Sequence, residues 1–396
     1  MFGRKGLLFF VLFVLLMCTG QAIAGPNANA SPDFDGDGVV GIPDFLLFVD
    51  RFGSSRSDGT YEAKYDLDGD GVIGIPDFLI FVDNFGKEVP PSRDDEVVVI
   101  ADANLRAAIE TELDKASGAT ITRGDMATLT RLEAENSNIS DLAGLEFAIC
   151  LTRLNLGYEI VERRAVNSNT ISDLSPLSGL TSLTNLNLSY NSISNLSQLS
   201  GLTSLTELNL VGNSITNISP LSGLISLTEL RLYYNSISDI SDLSGLTSLE
   251  RLDISRNSVF DISALSGLTS LESLRLGGNS ISDISDLSGL TSLTYLILHN
   301  NNISNISALS GLMSLERLNL HDNYISDLSA LSGLTSLTWI NLYNNSISDL
   351  LPLVANTGLG SGDEVELRNN PLSDTSIYTH IPVLRSREVT VNYGAF

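Results

Sequence analysis

From Leu129 onward, apolar and polar positions recur with a period of 22 residues. One copy reads Leu183-x-x-Leu186-x-Leu188-x-x-Asn191-x-Ile193-x-x-Leu196-x-x-Leu199-x-Gly201-Leu202. Asn169, Asn191, Asn213, Asn235, Asn257, Asn279, Asn301, Asn323 and Asn345 hold the same place in successive copies without a slip. The Leu-x-Leu core has the alternation of a strand, so Leu186 and Leu188 point inward while Asn185, Asn187 and Ser189 point out. Each asparagine falls where the chain leaves the strand, and its amide can satisfy backbone groups of the neighbouring turn in a continuous ladder. About ten residues remain for the return path, too few for a full helix, so the Ser-Asp-Leu-Ser-x-Leu-Ser-Gly-Leu segments are predicted to form 3₁₀ turns. A second column, Asp173, Asn195, Asn217, Asp239, Asp261, Asp283, Asn305, Asp327 and Asp349, reads as turn caps.

This frame is a leucine-rich repeat, and it predicts an α/β solenoid with a parallel β-sheet on the concave face and 3₁₀ turns on the convex side. We place the repeats at 129–356, a helical cap at 97–128 and a C-terminal capping region at 357–396. In the cap, Asp102 precedes a helix carrying Leu105, Ile109 and Leu113 on one face, with Gly118 just beyond it; Thr122 and Asp125 form a capping box for a second helix. Arg123-Gly124-Asp125 spells an adhesion tripeptide, but the capped turn keeps it off a loop tip. Two irregularities interrupt the frame. Ten extra residues, Glu159 to Ser168, separate Leu156 from Asn169 and must leave the solenoid as a loop; after Asn345 the next frame asparagine is Asn370, 25 residues on, and Val389-Thr-Val391 is placed to add a closing strand. The helical cap, the entry phrase Asp141-Leu-Ala-Gly-Leu-Glu146 and the short frame together resemble internalin-type bacterial leucine-rich repeat proteins over residues ~97 to 396. That resemblance implies recognition of a protein or glycan through the concave sheet.

A different pattern occupies the chain before the repeats. Asp33-Phe-Asp-Gly-Asp-Gly-Val-Val-Gly-Ile-Pro-Asp44 and Asp66-Leu-Asp-Gly-Asp-Gly-Val-Ile-Gly-Ile-Pro-Asp77 are two 12-residue loops offset by 33. Oxygen ligands fall at Asp33, Asp35, Asp37 and Asp44, and at Asp66, Asp68, Asp70 and Asp77, with backbone carbonyls supplied by Val39 and Val72; this is the spacing of a calcium loop, and it implies two calcium ions. A short helix follows each loop, bearing Phe45, Phe48, Val49 and Phe52 or Phe78, Phe81, Val82 and Phe85 on one face. Neither helix can bury that stripe alone, so the copies are expected to pack together about a twofold-like axis. The duplicated unit, assigned to 25–87, resembles the type I dockerin domain, a small all-α calcium module that docks onto cohesins. It departs from that family in its N-terminal position and in carrying Ile42-Pro43 and Ile75-Pro76 where a recognition pair is expected, which leaves a cohesin-like or other surface partner open. Residues 88–96, with two prolines and no apolar period, read as a semi-extended linker.

The first 24 residues read as a secretory signal peptide: Arg4-Lys5, the apolar run Leu7 to Met17, and Ala22-Ile23-Ala24 before Gly25. Cys18 offers a lipid-acceptor alternative. The expected mature chain has no transmembrane segment, is secreted or held at the cell surface, and keeps Cys150 as its one cysteine, so it has no internal disulfide. With 22 Lys+Arg against 47 Asp+Glu the net charge is −25, which disfavours nucleic acid. Three histidines and no nucleophile motif, metal-hydrolase motif or phosphate loop argue against an enzyme.

Columns of sequence become rows of surface when equivalent strand positions lie side by side about 4.8 Å apart. One outward row ends Tyr295, Arg317, Trp339 and another ends His299, His321, Tyr343, which gathers the single Trp and two of the three histidines in the C-terminal repeats. These six are the candidate ligand-binding residues, because Trp, Tyr and Arg most often anchor interfaces. The competing reading is an architectural extracellular spacer without a specific ligand. The two neighbouring histidines, lacking a carboxylate in the pattern, make a poor metal site.

Overall fold

The computed structural model describes residues 31–35, 39–87, 93–158 and 168–394. The leader at 1–24 with Cys18, Asp37, and the insertion from Glu159 to Asn167 lie outside the described residues. Contacts divide the chain between Glu96 and Val97 into two units.

In the first unit, α1 (Ile42–Arg51) and α2 (Ile75–Asn84) follow the two acidic loops. Pro43 and Pro76 sit in the first turn, where a missing N–H leaves no bond unmade; past the ends, Gly53 and Gly86 take φ of +88° and +78°. The two aromatic stripes face each other: the Phe48 ring lies 5.7 Å from Phe81 and 6.2 Å from Phe78 between centroids, and all three are fully buried. Val49, Phe52, Val82 and Phe85 pack around them partly buried. Backbone bonds repeat the same reciprocity. Val40 N–H donates to Lys87 O and Gly86 N–H to Val40 O; at the other copy Ile73 N–H donates to Ser54 O and Gly53 N–H to Ile73 O. Each loop thus leads into a residue that pairs with the end of the other copy's helix, as a pseudo-twofold requires. The linker is not extended throughout: Arg93–Asp95 winds one 3₁₀ turn, which lets a polar segment satisfy backbone groups locally.

The second unit is the solenoid. Its cap holds α3 (Ala103–Glu112) and α4 (Arg123–Thr128). Asp102 accepts from the N–H groups of Asn104 and Leu105 at the helix start and, through its other oxygen, from Ser140 and Asp141 of the first repeat, so one carboxylate caps a helix and fastens it to the stack. The Thr122–Asp125 capping box forms, Asp125 pairs with Lys115 at 2.7 Å, and Arg123 lies over the Phe147 ring, so the tripeptide is spent on local structure. Twelve parallel strands then run in chain order, from β1 (Arg131–Glu133), β2 (Arg153–Asn155) and β3 (Asn185–Asn187) to β8 (Tyr295–Ile297), β9 (Arg317–Asn319), β10 (Trp339–Asn341), β11 (Glu364–Glu366) and β12 (Thr390–Asn392). The return segments are 3₁₀ turns from Ser175–Leu177 to Ser329–Leu331, and the column of Asp and Asn caps them, as where Ser241 N–H donates to Asp239. In the final repeat the return path is instead the short helix α5 (Leu351–Ala355), and a π-helical turn at Ser376–His380 leads into α6 (Ile381–Ser386) beside β12.

The asparagine ladder sets the register. Asn301 donates from Nδ2 to Leu298 O of its own turn and to Leu276 O of the preceding one, and its Oδ1 accepts from Ile281 N–H. The insertion does not disturb this: Asn169 donates to Leu156 O across it at 2.9 Å, and β2 and β3 pair in register, Leu154 opposite Leu186. Asn370, displaced in sequence, makes the same three bonds with Leu342, Leu367 and Ile347. One expectation fails locally: Ser189 was expected to point out but is buried, because its hydroxyl accepts from Tyr158 N–H in the adjacent turn.

Replacing Asn301 with Ala leaves the Ile281 N–H without its acceptor and takes one of two amide donors from Leu276 O and Leu298 O, which keep Asn279 and Asn323; we predict a loss of about 1–3 kcal/mol by urea unfolding, whereas Asn305→Ala, which removes only an exposed turn cap, costs under about 1 kcal/mol.

Candidate functional site

The acidic loops bring most of their predicted ligands together. Asp33, Asp35 and Asp44 place carboxylate oxygens within 4.8 Å of one another, and so do Asp66, Asp68 and Asp70. Val39 and Val72 turn their side chains to solvent. Asp44 and Asp77 are both fully buried, and each also serves as a structural acceptor. Asp44 takes N–H bonds from Phe34, Asp35 and Gly41; Asp77 takes them from Asp68 and Gly74. Asp77 closes its loop in this way and stands outside the Asp66 group. Burial pushes its carboxyl above the ordinary value. Asp66 goes the other way: burial opposes its ionisation, but the Tyr61 hydroxyl at 2.7 Å and the Gly71 and Gly69 N–H groups outweigh it and hold the carboxyl low. The donors are all oxygen, which is the chemistry of a hard divalent cation.

On the concave face the strand register puts Tyr295 beside Arg317, Arg317 beside Trp339 and Trp339 beside Glu364. In the parallel row the His299 and His321 rings stack at 4.5 Å and 18°, with Tyr343 edge-on to His321 at 6.5 Å. Gly277 makes room for this row, since a Cβ there would fall 2.2 Å from the His299 ring. The structure supplies the carboxylate that the pattern did not: Asp322 Oδ2 lies 2.7 Å from His321 Nδ1. His299 is different. Its Nδ1 is buried with no hydrogen-bond partner, and burial, reinforced by His321 and Arg256, pushes its pKa down.

The six candidates do not form one pocket. His321, Trp339 and Tyr343 line a depression of about 350 Å³ with Glu364, Glu366 and Arg368, whereas Tyr295 stands apart under the Arg275 guanidinium at 4.9 Å. The Glu366 carboxylate is held low despite burial by its 2.6 Å ion pair with Arg368. Glu364, Glu366 and Arg368 escaped the sequence columns because the three-residue slip before Asn370 shifts them out of step; counting back from Asn370 would have placed them. Arg275 belongs to the central strand column, Arg231, Asp253, Arg275, Ile297, Asn319, Asn341, which the two outer rows left out. Further along, Glu229 sits between Arg231 and Arg251 and stays ionised below its usual range through them, although burial opposes this. Cys150 is free and exposed, and no helix among the described residues is long and apolar enough to cross a membrane.

A stack of parallel three-residue strands with 3₁₀ returns and an amide ladder defines a leucine-rich repeat protein. The family described as "Leucine Rich repeats (2 copies)" matches six overlapping windows, 181–223, 203–245, 225–268, 247–289, 269–311 and 291–333. No curated protein matches the chain. Among solved structures, internalin C2 of Listeria monocytogenes is 36% identical over 54% of this chain and 91% of its own, with a TM-score of 0.50. An internalin of the same organism, inlF, is 29% identical over 75% of this chain and 96% of its own (TM-score 0.56), and the functional domain of its InlJ is 26% identical over 74% and 59% (TM-score 0.61). The chain belongs to the internalin-type leucine-rich repeat proteins.

The depressed His299 pKa carries a sign. The unfolded chain takes up a proton near pH 6.5 that the folded chain resists, so His299 lowers stability as pH falls below about 6.5 and leaves it unaffected above. We predict that His299→Gln flattens the decline in melting temperature between about pH 6.5 and pH 5, and that NMR of the wild type shows His299 titrating below an exposed histidine.

Proposed function

We propose that this is a non-catalytic, exported recognition protein that grips a protein partner at the C-terminal end of its concave sheet. The observation that carries this reading is the depression around Trp339: a partly exposed indole, a phenol and an imidazole stand within one hollow beside the Glu366–Arg368 pair and the His321–Asp322 pair. Large rings ringed by both signs of charge are what a protein surface meets with its own apolar anchors and complementary charges. A spacer has no use for this concentration, since repeats such as those of Asn185–Asn187 and Ser273–Arg275 form the same strand with no aromatic side chain at these outward positions.

We further propose that Asp33, Asp35, Asp37 and Asp44 hold one calcium ion and that Asp66, Asp68 and Asp70 hold a second, with the carbonyls of Val39 and Val72, and with Asp77 joining if it yields its backbone bonds. The packed carboxylates support this, because their mutual repulsion is relieved by a cation. In the same reading the dockerin-like unit attaches the protein to a cohesin-like or other surface partner, and the leader exports it.

Two measurements test these proposals. Calorimetry of the full chain should show two calcium ions bound and Asp68→Ala should remove one; no uptake at millimolar calcium would end the metal reading. For the concave face, a partner retrieved by crosslinking on intact surfaces should bind Trp339→Ala and Tyr343→Ala at least about tenfold more weakly than wild type, about 1.4 kcal/mol or more each. Unchanged affinity in both variants would transfer support to the spacer.

A further inference from the structure

In most repeats the residue two places past the last inward strand position turns the chain out of its strand in the left-handed region, with φ of +51° at Asn136, +66° at Gly212, +69° at Gly278, +56° at Asn300, +55° at Asp322, +54° at Asn344 and +60° at Asn369. Glycine, asparagine and aspartate are the residues that tolerate this conformation. Three positions in the column break the rule: Tyr190 at +54°, Tyr234 at +58° and Arg256 at +52°. Bulky side chains there are held against the backbone's own preference, which singles them out from the seven repeats that solve the same turn with Gly, Asn or Asp.

All three exceptions fall together. Tyr158 occupies the equivalent position one repeat before Tyr190, and their rings meet edge to face at 5.3 Å. The Tyr190 ring lies on Gly212, where a Cβ would come within 2.6 Å of it, so the repeat between the two strained tyrosines gives up its side chain to seat the ring. Tyr234 follows, 57% exposed, with Tyr233 beside it at 6.1 Å, and the Arg256 guanidinium lies 5.9 Å from the Tyr233 ring. Because equivalent positions in neighbouring repeats stand about 4.8 Å apart, Tyr158, Tyr190 and Tyr234 fall on one line along the stack, with Tyr190 and Tyr234 roughly 10 Å apart at their backbones and Tyr233 widening the line at its end. It lies at the turn beside the sheet, apart from the Trp339 depression.

We propose that this strip binds a linear, uncharged polysaccharide. Phenol rings offer flat apolar surface with a polar rim, which matches the C–H face and hydroxyl edge of a pyranose. A narrow line of rings suits a polymer running along it, whereas a globular protein partner is met by a broad patch with a closed centre. The four tyrosines bring no charge at neutral pH, and the chain's −25 turns away polyanionic glycans and nucleic acid. Arg256 supplies donors to sugar hydroxyls at the end of the strip.

The test is native affinity electrophoresis of the full chain in gels containing hydroxyethyl cellulose, xylan, laminarin or glycol chitin, compared with Tyr190→Asn, Tyr234→Asn, their double variant and Trp339→Ala. Asparagine suits the left-handed turn, so these variants stay folded by circular dichroism, and Tyr234→Asn melts no lower than wild type. We expect at least one neutral polysaccharide to retard the wild type and Trp339→Ala equally, with the apparent affinity of the double variant at least tenfold lower. The proposal is overturned if none of the four polymers retards the wild type, if the double variant is retarded as strongly, if the loss follows Trp339→Ala instead, or if the strip substitutions weaken only a protein partner.

Discussion

Everything in the solenoid hangs on a primary amide at the end of each strand from β2 to β11. A strand of three residues cannot hold its own place in a sheet, since a slip by one residue turns its leucines outward. The amide removes that freedom by bonding both to its own turn and to the one before, as Asn235 does with Leu232 and Leu210, while Ile215 N–H closes the bond from behind. A buried carbonyl with no donor is expensive, so a turn placed out of register has more to lose than a contact or two. The interval of 22 is the spacing at which every carbonyl finds its amide. This is also why ten extra residues after Leu156 leave the ladder unbroken: Asn191 reaches Leu156 O as Asn213 reaches Leu188 O.

The same bond explains which parts of the molecule could be read from the sequence. Leu186, Leu188, Ile193 and Asn191 have their roles dictated by the repeat, and the strand register, the 3₁₀ returns and the capping of Ser241 by Asp239 follow from it. In the first unit the repeat of 33 did similar service, since Phe48 and Phe81 had nowhere to go except onto each other. Illegible parts depend on where a side chain leans once the backbone is set. Asp322 is a neighbour of His321 in sequence, yet its reach to Nδ1 depends on a left-handed turn that redirects it. Tyr190 and Tyr234 look like ordinary exposed residues until that same turn shows what holding a ring there involves. Asp77 has the spacing of a ligand, but its carboxylate spends its oxygens on Asp68 and Gly74.

The charge distribution gives the last constraint. A net −25 would be expected to spread acidity over every face, yet Arg131, Arg153, Arg231, Arg251, Arg275 and Arg317 all stand at outward strand positions, so the concave sheet holds a disproportionate share of the cations. Several are matched across neighbouring turns: Arg153 to Glu133, Arg251 to Glu229, Arg131 to Glu112 of the cap. Exposed pairs of this kind add little to stability. Their effect is to keep the sheet near neutrality within an acidic molecule, so that a partner approaching the face meets alternating charges at short range instead of a uniform negative field. The return side faces no such restriction. Its column of Asp and Asn caps turns with exposed carboxylates and amides in the same place, repeat after repeat, and that uniformity is the counterpart of the variety on the sheet: the amide ladder fixes the scaffold from within, which leaves the strand positions free to differ and the turns free to stay alike.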